Sequence, residues 1–406
     1  MSDASIDVSL THEATEHDLG WLARRLSRFL FSRIHSGRLT IVTPSGIRLS
    51  HGTSNGPEGV LILRRWRMLR RLLLQGDIAA AESYIDGDWD SPDLPALVEL
   101  AGLNMPTLSD TFAANWLQRL RNRIQHRLNA NTKRGSRRNI QHHYDLGNAF
   151  YRTWLDSGMS YSSAIFAGPD QTLEDAQTAK QQRAIELMAA RPGQNVLEIG
   201  CGWGGLAEQL VHTAGCHVTG VTLSPAQLDY ASTRLAESTS ADLRLQDYRD
   251  VPGLFDRIVS IEMMEAVGEA YWPSYFSTLR DRLKPGGLAV VQAITIAEDK
   301  FEGYRRCTDF IQHYIFPGGM LPTITEIRRQ TEKAGMMLRS METFGDSYAR
   351  TLAEWRKRFH AAWPEIESLG FDTRFRRMWD YYLAYCEGGF RAGTIDVGLY
   401  VIAKPA

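Results

Sequence analysis

The stretch Asn195-Val-Leu-Glu-Ile-Gly-Cys-Gly-Trp-Gly-Gly205 runs from a short apolar segment into a glycine-dense turn, after which Leu206, Leu210 and Val211 share one face of a helical pattern. The order is strand, tight loop, helix. Glycines at 200, 202 and 204 let the backbone turn without Cβ clashes and let a ligand approach main-chain atoms. The start of the helix presents free N–H groups above the loop. A bare G-x-G-x-G is common to many nucleotide-binding folds. Here Glu198 precedes it, and the third glycine of the dinucleotide pattern is displaced to give G-x-G-x-G-G, ending at Gly205.

Working outward, Cys216 to Leu223 reads as a second strand, and Ser224-Pro225 opens a helix with serine as N-cap and proline at the first helical position. Leu243 to Asp247 and Asp256 to Glu262 read as third and fourth strands. Trp272 to Leu283 reads as a helix stopped by Lys284-Pro-Gly-Gly287, and Leu288 to Ile296 as a fifth strand. Strands alternating with helices at this spacing predict a doubly wound parallel α/β sheet. Residues 300–335 read as a helical excursion, Met337 to Phe344 as a strand, Tyr348 to Phe390 as helical and rich in aromatics, and Val397 to Ala403 as the closing strand.

Upstream, residues 1–15 are polar. From Glu16, Trp21, Leu22, Leu26, Phe29, Leu30 and Ile34 share a helical face, with Arg24, Arg25, Arg28 and Arg33 mostly elsewhere. This is either a surface helix over a core or a basic amphipathic helix at an anionic membrane. Leu39–Val42 and Ile47–Leu49 flank the turn Thr43-Pro-Ser-Gly46, and Gly59–Leu63 follows. Arg64 to Gln75 reads as a helix stopped at Gly76-Asp77, and Asp88-Trp-Asp-Ser-Pro92 as the cap of another. Residues 16–111 thus form a small α+β domain, a candidate lipid or homodimer contact, and residues 140–406 a catalytic domain. Residues 112–139 join them as a basic linker without acidic residues, carrying Arg119, Arg121, Arg123, Arg127, Lys133, Arg134, Arg137 and Arg138. Such a run is a solvated face or a patch for phosphate groups of lipid or nucleic acid; its few aromatics disfavour base stacking.

The 406 residues, 43% hydrophobic and 23% charged, are globular in composition and long enough for two or three domains. A net charge of −1 leaves any polyanion contact to local patches. Neither a membrane-spanning run nor a secretory signal is legible. The four cysteines are scattered without C-x-x-C, which fits a reducing cytoplasm and argues against a disulfide framework or a metal site.

Glu198-Ile-Gly-Cys-Gly-Trp-Gly, Lys284-Pro-Gly-Gly and the seven-strand pattern resemble class I S-adenosylmethionine-dependent methyltransferases, whose sheet is Rossmann-like. More narrowly, the chain resembles cyclopropane-fatty-acyl-phospholipid synthases. The matching pieces are His143-Tyr-Asp-Leu-Gly-Asn148, Met159-Ser-Tyr-Ser162, Val221-Thr-Leu-Ser224 with Gln227, Gln246-Asp-Tyr-Arg-Asp250, Tyr314-Ile-Phe-Pro-Gly318, Phe359-His-Ala-Ala-Trp-Pro-Glu365, Tyr381 to Arg391, and upstream Glu82-Ser-Tyr-Ile-Asp-Gly-Asp-Trp89. The resemblance implies transfer of a one-carbon unit from S-adenosylmethionine to the cis double bond of a phospholipid acyl chain. It also implies a protein of the cytoplasm held peripherally at the inner face of the membrane, with no nucleic-acid partner.

The same resemblance assigns the cofactor to Glu198, Gly200, Gly202, Gly204 and Ile261, with Thr222, Leu223 and Gln227 taking the place of a ribose-binding acid. Asp247 would accept from the adenine amino group, Tyr248 would stack, and Tyr161 and Ser162 would close over the ligand. An isolated alkene is a poor nucleophile, so positioning is essential, and the carbocation formed needs electrostatic stabilisation. Tyr381, Tyr382, Tyr385 and Phe390 offer aromatic faces, although a stripe at helical spacing is commonly core.

A base must then remove a proton. In the resembled family this is bicarbonate, held by a cysteine, a glutamate, a histidine and a tyrosine. Glu265 and Tyr348 match; Ser163 and Gln292 stand at the cysteine and histidine positions. Serine and glutamine still donate to an anion, but glutamine takes no proton near neutral pH. Glu262, one helical turn before Glu265, makes a carboxylate base the alternative. Cys386 matches a site-lining cysteine of the family, with no nucleophilic role required. Three rival readings stand beside the main one: a methylene- or methyl-branched product, a methyltransferase for RNA or a small metabolite, and a non-catalytic lipid or cofactor binder.

Overall fold

The computed structural model describes residues 30–104, 146–306 and 308–406. The chain divides into two compact units, Met1–Ala114 with Arg377–Ala392, and Asn115–Arg376 with Gly393–Ala406. The basic segment 112–139, and all of the expected helix before Leu30, lie outside the described residues.

The first unit holds a four-stranded sheet in the order β2-β1-β3-β4, with β1 Arg38–Val42, β2 Arg48–Gly52, β3 Glu58–Leu63 and β4 Trp89–Asp90. β1 pairs antiparallel with β2 across the Pro-Ser-Gly turn and parallel with β3. Helices Arg67–Gln75, Asp77–Ile85 and Leu94–Asn104 accompany the sheet. The second of these went unread in the sequence. Gly76, at φ +76°, closes the first helix with an N–H···O bond to Leu72 of 3.0 Å and lets the next begin at once. The wholly buried Asp88 accepts two hydrogen bonds of 2.9 Å from the Arg67 guanidinium. The Tyr84 hydroxyl donates to Asp380 at 2.6 Å, and Arg377 donates to Asp90 at 2.8 Å.

The second unit is built on a seven-stranded sheet, order β10-β11-β9-β8-β5-β6-β7. Its strands are β5 Asn195–Ile199, β6 His217–Thr222, β7 Ala241–Leu245, β8 Phe255–Ile261, β9 Leu283–Ile296, β10 Met337–Thr343 and β11 Ile395–Ala403. Consecutive residues feed opposite faces. Leu197, Ile258, Ala289 and Ile402 join one buried cluster, while Val196, Val259, Val290 and Val401 join the other. Both faces are covered, as a sheet with helices on each side requires. Strand order reverses at β5, so the crevice beyond the carboxyl ends of β5 and β8 is the topological switch point where such sheets take ligands.

The sheet is not wholly parallel. β11 runs antiparallel to both β9 and β10. The chain re-enters beside the end of β9, where Ala297 N–H donates to Thr394 O at 3.0 Å, and so must run back along it. Lys284-Pro-Gly-Gly lies inside β9, as an irregularity with Gly286 at φ +72°, and does not precede the strand. The third strand ends at Leu245, two residues short of Asp247. Tyr348–Phe390 resolves into helices Gly345–Ala361, Trp363–Ser368 and Thr373–Arg391, the last belonging from Arg377 onward to the first unit.

The helix Leu173–Met188 was also unread in the sequence. Thr172 caps it, accepting from Asp175 N–H at 3.2 Å. Ala176, Ala184 and Met188 are fully buried on its inner face. The substitution Thr172→Ala should lower stability by about 1 kcal/mol, read as a shifted urea midpoint; an unchanged midpoint would show that the cap is not used.

Candidate active site

Beyond β5, Gly200, Gly202 and Gly204 adopt φ of +82°, +52° and +83°. The N–H groups of Gly200 and Cys201 both donate to Val221 O at 3.0 Å, which folds the loop back on β6. A Cβ on Gly200 would lie 2.4 Å from Met263 Cγ, and one on Gly204 3.0 Å from Ala231 Cβ. A Cβ on Gly202 would meet nothing within 4 Å. The outer glycines therefore serve packing, and the middle one borders open space over the start of helix Gly205–His212. Beneath the loop, Glu198 is buried with Oε2 unpartnered. An open main-chain cradle above a buried, unpaired acceptor fits a cationic, amine-bearing nucleoside.

At the end of β6, the Thr222 hydroxyl donates to Gln227 Oε1 at 2.8 Å and accepts from Ser224 N–H at 3.2 Å. Ser224 caps helix Pro225–Arg234, fixing Gln227 in its first turn, and Leu223 is half-buried between them. Past β7, the Asp247 carboxylate accepts from Arg249 Nε at 2.8 Å and from its terminal nitrogen at 2.6 Å. The Arg249 main-chain N–H adds a third donor at 3.0 Å. Tyr248 is buried edge-on to Tyr275, ring centroids 5.8 Å apart.

The segment Met159–Ser163 approaches from the other side, with Met159 at φ +58°. Tyr161 sits among Tyr151, Trp154 and Trp355, with centroids 5.4, 5.7 and 5.4 Å away. Ser162 Oγ accepts from Lys180 Nζ at 2.7 Å.

Ser163, Gln292 and Tyr348 converge on one carboxylate. Glu262 Oε1 accepts from Ser163 N–H at 2.8 Å and from Gln292 Nε2 at 2.7 Å, and Oε2 accepts from the Tyr348 hydroxyl at 2.7 Å. The Glu262 N–H donates to Gln292 O at 2.8 Å. Ile261, the last residue of β8, pairs with Gln292, so the sheet register itself places the two side by side. Glu262 has φ +50°, a left-handed conformation unusual for a side-chain-bearing residue. It therefore precedes the short helix Met264–Val267 that carries Glu265 and does not share it. The Glu265 carboxylate accepts a close hydrogen bond from Ile294 N–H, and its Oε2 is buried without a partner.

Lys180 supplies a counter-charge that the sequence reading missed. It is 3% exposed, and burial lowers its pKa while the charges of Glu262, Asp156 and Glu198 raise it. The available signal was a lysine set between Ala176 and Ala184 at helical spacing. Burial pushes Glu198 up to about 8, against the pull of Lys180. Burial and then the Glu262 charge push Glu265 up to about 8. Burial raises Glu262 too, opposed by its hydrogen bonds and Lys180.

Cys386 is half-buried on the part of helix Thr373–Arg391 that belongs to the first unit. In that unit Tyr381 packs against Tyr84 and Trp89, centroids 5.5 and 6.4 Å away, as a core residue does. Among the described residues no group of His, Cys, Asp and Glu could hold a metal ion, and no helix is long and apolar enough to cross a membrane.

Sheet order, glycine cradle and buried acid together define an S-adenosylmethionine-dependent methyltransferase. The model of the family described as mycolic acid cyclopropane synthetase matches residues 131–399, and the chain belongs to that family. Its relatives include the tuberculostearic acid methyltransferase UfaA1 of Mycobacterium tuberculosis, 36% identical over 377 residues, 89% of this chain and 88% of that one. The cyclopropane-fatty-acyl-phospholipid synthase of Escherichia coli is 36% identical over 335 residues, 82% of this chain and 85% of that one. The crystal structure of the mycolic acid cyclopropane synthase CmaA1, complexed with SAH and CTAB, superposes with a TM-score of 0.62 at 30% identity, covering 66% of this chain and 98% of that one. The protein is thus a methyltransferase of the cyclopropane synthase type that uses S-adenosylmethionine.

Glu198 binds its proton more tightly folded than unfolded, so its contribution to stability is lost as pH rises from its ordinary 4.5 through about 8. Thermal unfolding of cofactor-free Glu198→Gln should therefore fall less steeply over that window than that of the native chain. Equal slopes would contradict the assignment.

Proposed function

We propose that the acceptor is the cis double bond of an unsaturated phospholipid acyl chain and that the product is a cyclopropane. The observation that carries this reading is the match to the Escherichia coli phospholipid enzyme over 82% of the chain, beyond the 66% aligned with the CmaA1 structure. Bound S-adenosylmethionine supplies an electrophilic methyl group. The chain's own residues position and shield: Gly202 borders the cofactor cradle, Thr222 and Gln227 line its far side, and Tyr161 with its aromatic neighbours excludes water. The cation that develops on the acyl chain calls for a nearby anion, and the Glu262 carboxylate, held by three donors, is suited to that task.

A second reading has the same cation lose a proton from a neighbouring chain carbon, giving a methylene- or methyl-branched acid. The observation favouring it is that the relative spanning 89% of the chain is named a methyltransferase. Incubation with methyl-labelled S-adenosylmethionine and vesicles of unsaturated phospholipid, followed by NMR of the extracted lipid, separates the two. Ring-methylene protons at high field are expected. Vinylidene protons would favour the branched route, and lipid without label would overturn both.

The acceptor lies in a bilayer, and the proposal includes peripheral attachment through the amphipathic pattern of residues 21–34 and the arginines of residues 119–138. Reversing four of those charges should weaken sedimentation with anionic vesicles and leave S-adenosylmethionine affinity unchanged. Undiminished vesicle binding would refute this attachment.

A further inference from the structure

Of the four positions that the family resemblance gives to a bicarbonate ion, three have their donors already engaged in this chain. The Ser163 main-chain N–H, Gln292 and Tyr348 all donate to Glu262, and the Ser163 hydroxyl is turned away to donate to Ala164 O at 2.9 Å. The donors suited to a small trigonal anion already hold a planar carboxylate. Bicarbonate therefore does not fit the site as built.

Glu262 is fixed there by more than these bonds. Its N–H is tied to Gln292 O, and its φ of +50° is a strained conformation of the kind that persists where surrounding structure over-determines it. The charged and titratable groups facing it are Lys180, Glu265 and Tyr348. Lys180 favours the ionised form of Glu262. Glu265, pushed up to about 8, keeps its proton at neutral pH and is no rival as an anion.

We infer that the Glu262 carboxylate is the proton acceptor of the ring-closing step, standing in this chain where a relative would use a dissolved anion. The inference rests on the reading that the acceptor is a lipid alkene. After the methyl group has been added, the acyl chain carries a cation on the adjacent carbon. One Glu262 oxygen takes a proton from that methyl group; the electron pair of the broken C–H bond closes the third C–C bond of the ring and cancels the cation. The carboxylic acid so formed returns its proton to solvent, and no oxidant or other reactant is consumed.

The test is turnover on unsaturated phospholipid vesicles in carbon dioxide-depleted buffer, with and without added bicarbonate. The native chain should run at the same rate in both. Its kcat should fall as pH drops through the raised Glu262 pKa, because only the ionised form accepts a proton. Glu262→Gln should lose about a hundred-fold or more in kcat while binding S-adenosylmethionine as before. Glu262→Gly suits the left-handed backbone and vacates the carboxylate's place, so added bicarbonate should restore part of its rate. A native rate that follows the bicarbonate concentration, or a Glu262→Gln variant with undiminished kcat, would overturn the assignment. So would a Glu262→Gly variant that binds the cofactor normally yet gains nothing from bicarbonate. If the native chain forms ring product only with bicarbonate, the base assignment alone fails; if it forms no lipid product in either buffer, the reaction itself has been misread.

Discussion

A carboxylate drawn partly out of water must be met by donors or neutralised, and the active region of this protein is arranged around that constraint at the half-buried Glu262. Its partners come from segments separated from it by 99, 30 and 86 residues along the chain. One is a loop, one a central strand and one a long helix. None of them is near another in sequence, so the carboxylate acts as the pin that registers all three. Removing one donor would leave a charged oxygen short of a partner, a larger penalty than the bond itself is worth.

The pin is coupled electrostatically to the cofactor loop. Lys180 feels both Glu262, just past the end of β8, and Glu198, at the end of β5. These are the two strands that flank the topological switch point. The buried Lys180 side chain is thus coupled both to the acid under the glycine cradle and to the acid at the proposed site of proton transfer. The two acids answer differently. Glu198 has an oxygen with no partner and is driven towards its neutral form. Glu262, with its donors, can bear the charge that a developing cation requires.

The central α/β pattern was legible in the sequence because its signals are local. Glycines at fixed spacing, Ser224-Pro225 at a helix start and apolar runs four to six residues long each report on their own neighbourhood. The direction of β11 was not legible, since periodicity carries no sense of direction and the return beside β9 is a tertiary event. The helix Asp77–Ile85 was hidden because Gly76, read as a stop, also serves as a start. The helix Leu173–Met188 mixes Lys180, Gln177 and Gln181 into its buried face, which blurs the amphipathic stripe. Of the site, Ser163, Gln292, Tyr348 and Glu262 were all named from sequence, but their convergence on Glu262 depends on the β8–β9 register and on a positive φ that no local pattern reveals.

The central claim is that the anion at this site belongs to the chain. The most direct measurement is a high-resolution crystal structure with the demethylated cofactor, S-adenosylhomocysteine, grown in bicarbonate buffer. The account predicts the Glu262 carboxylate in contact with Ser163 N–H, Gln292 Nε2 and the Tyr348 hydroxyl, with no other anion among them. A trigonal ion bound to those three donors, with Glu262 rotated out, would contradict it.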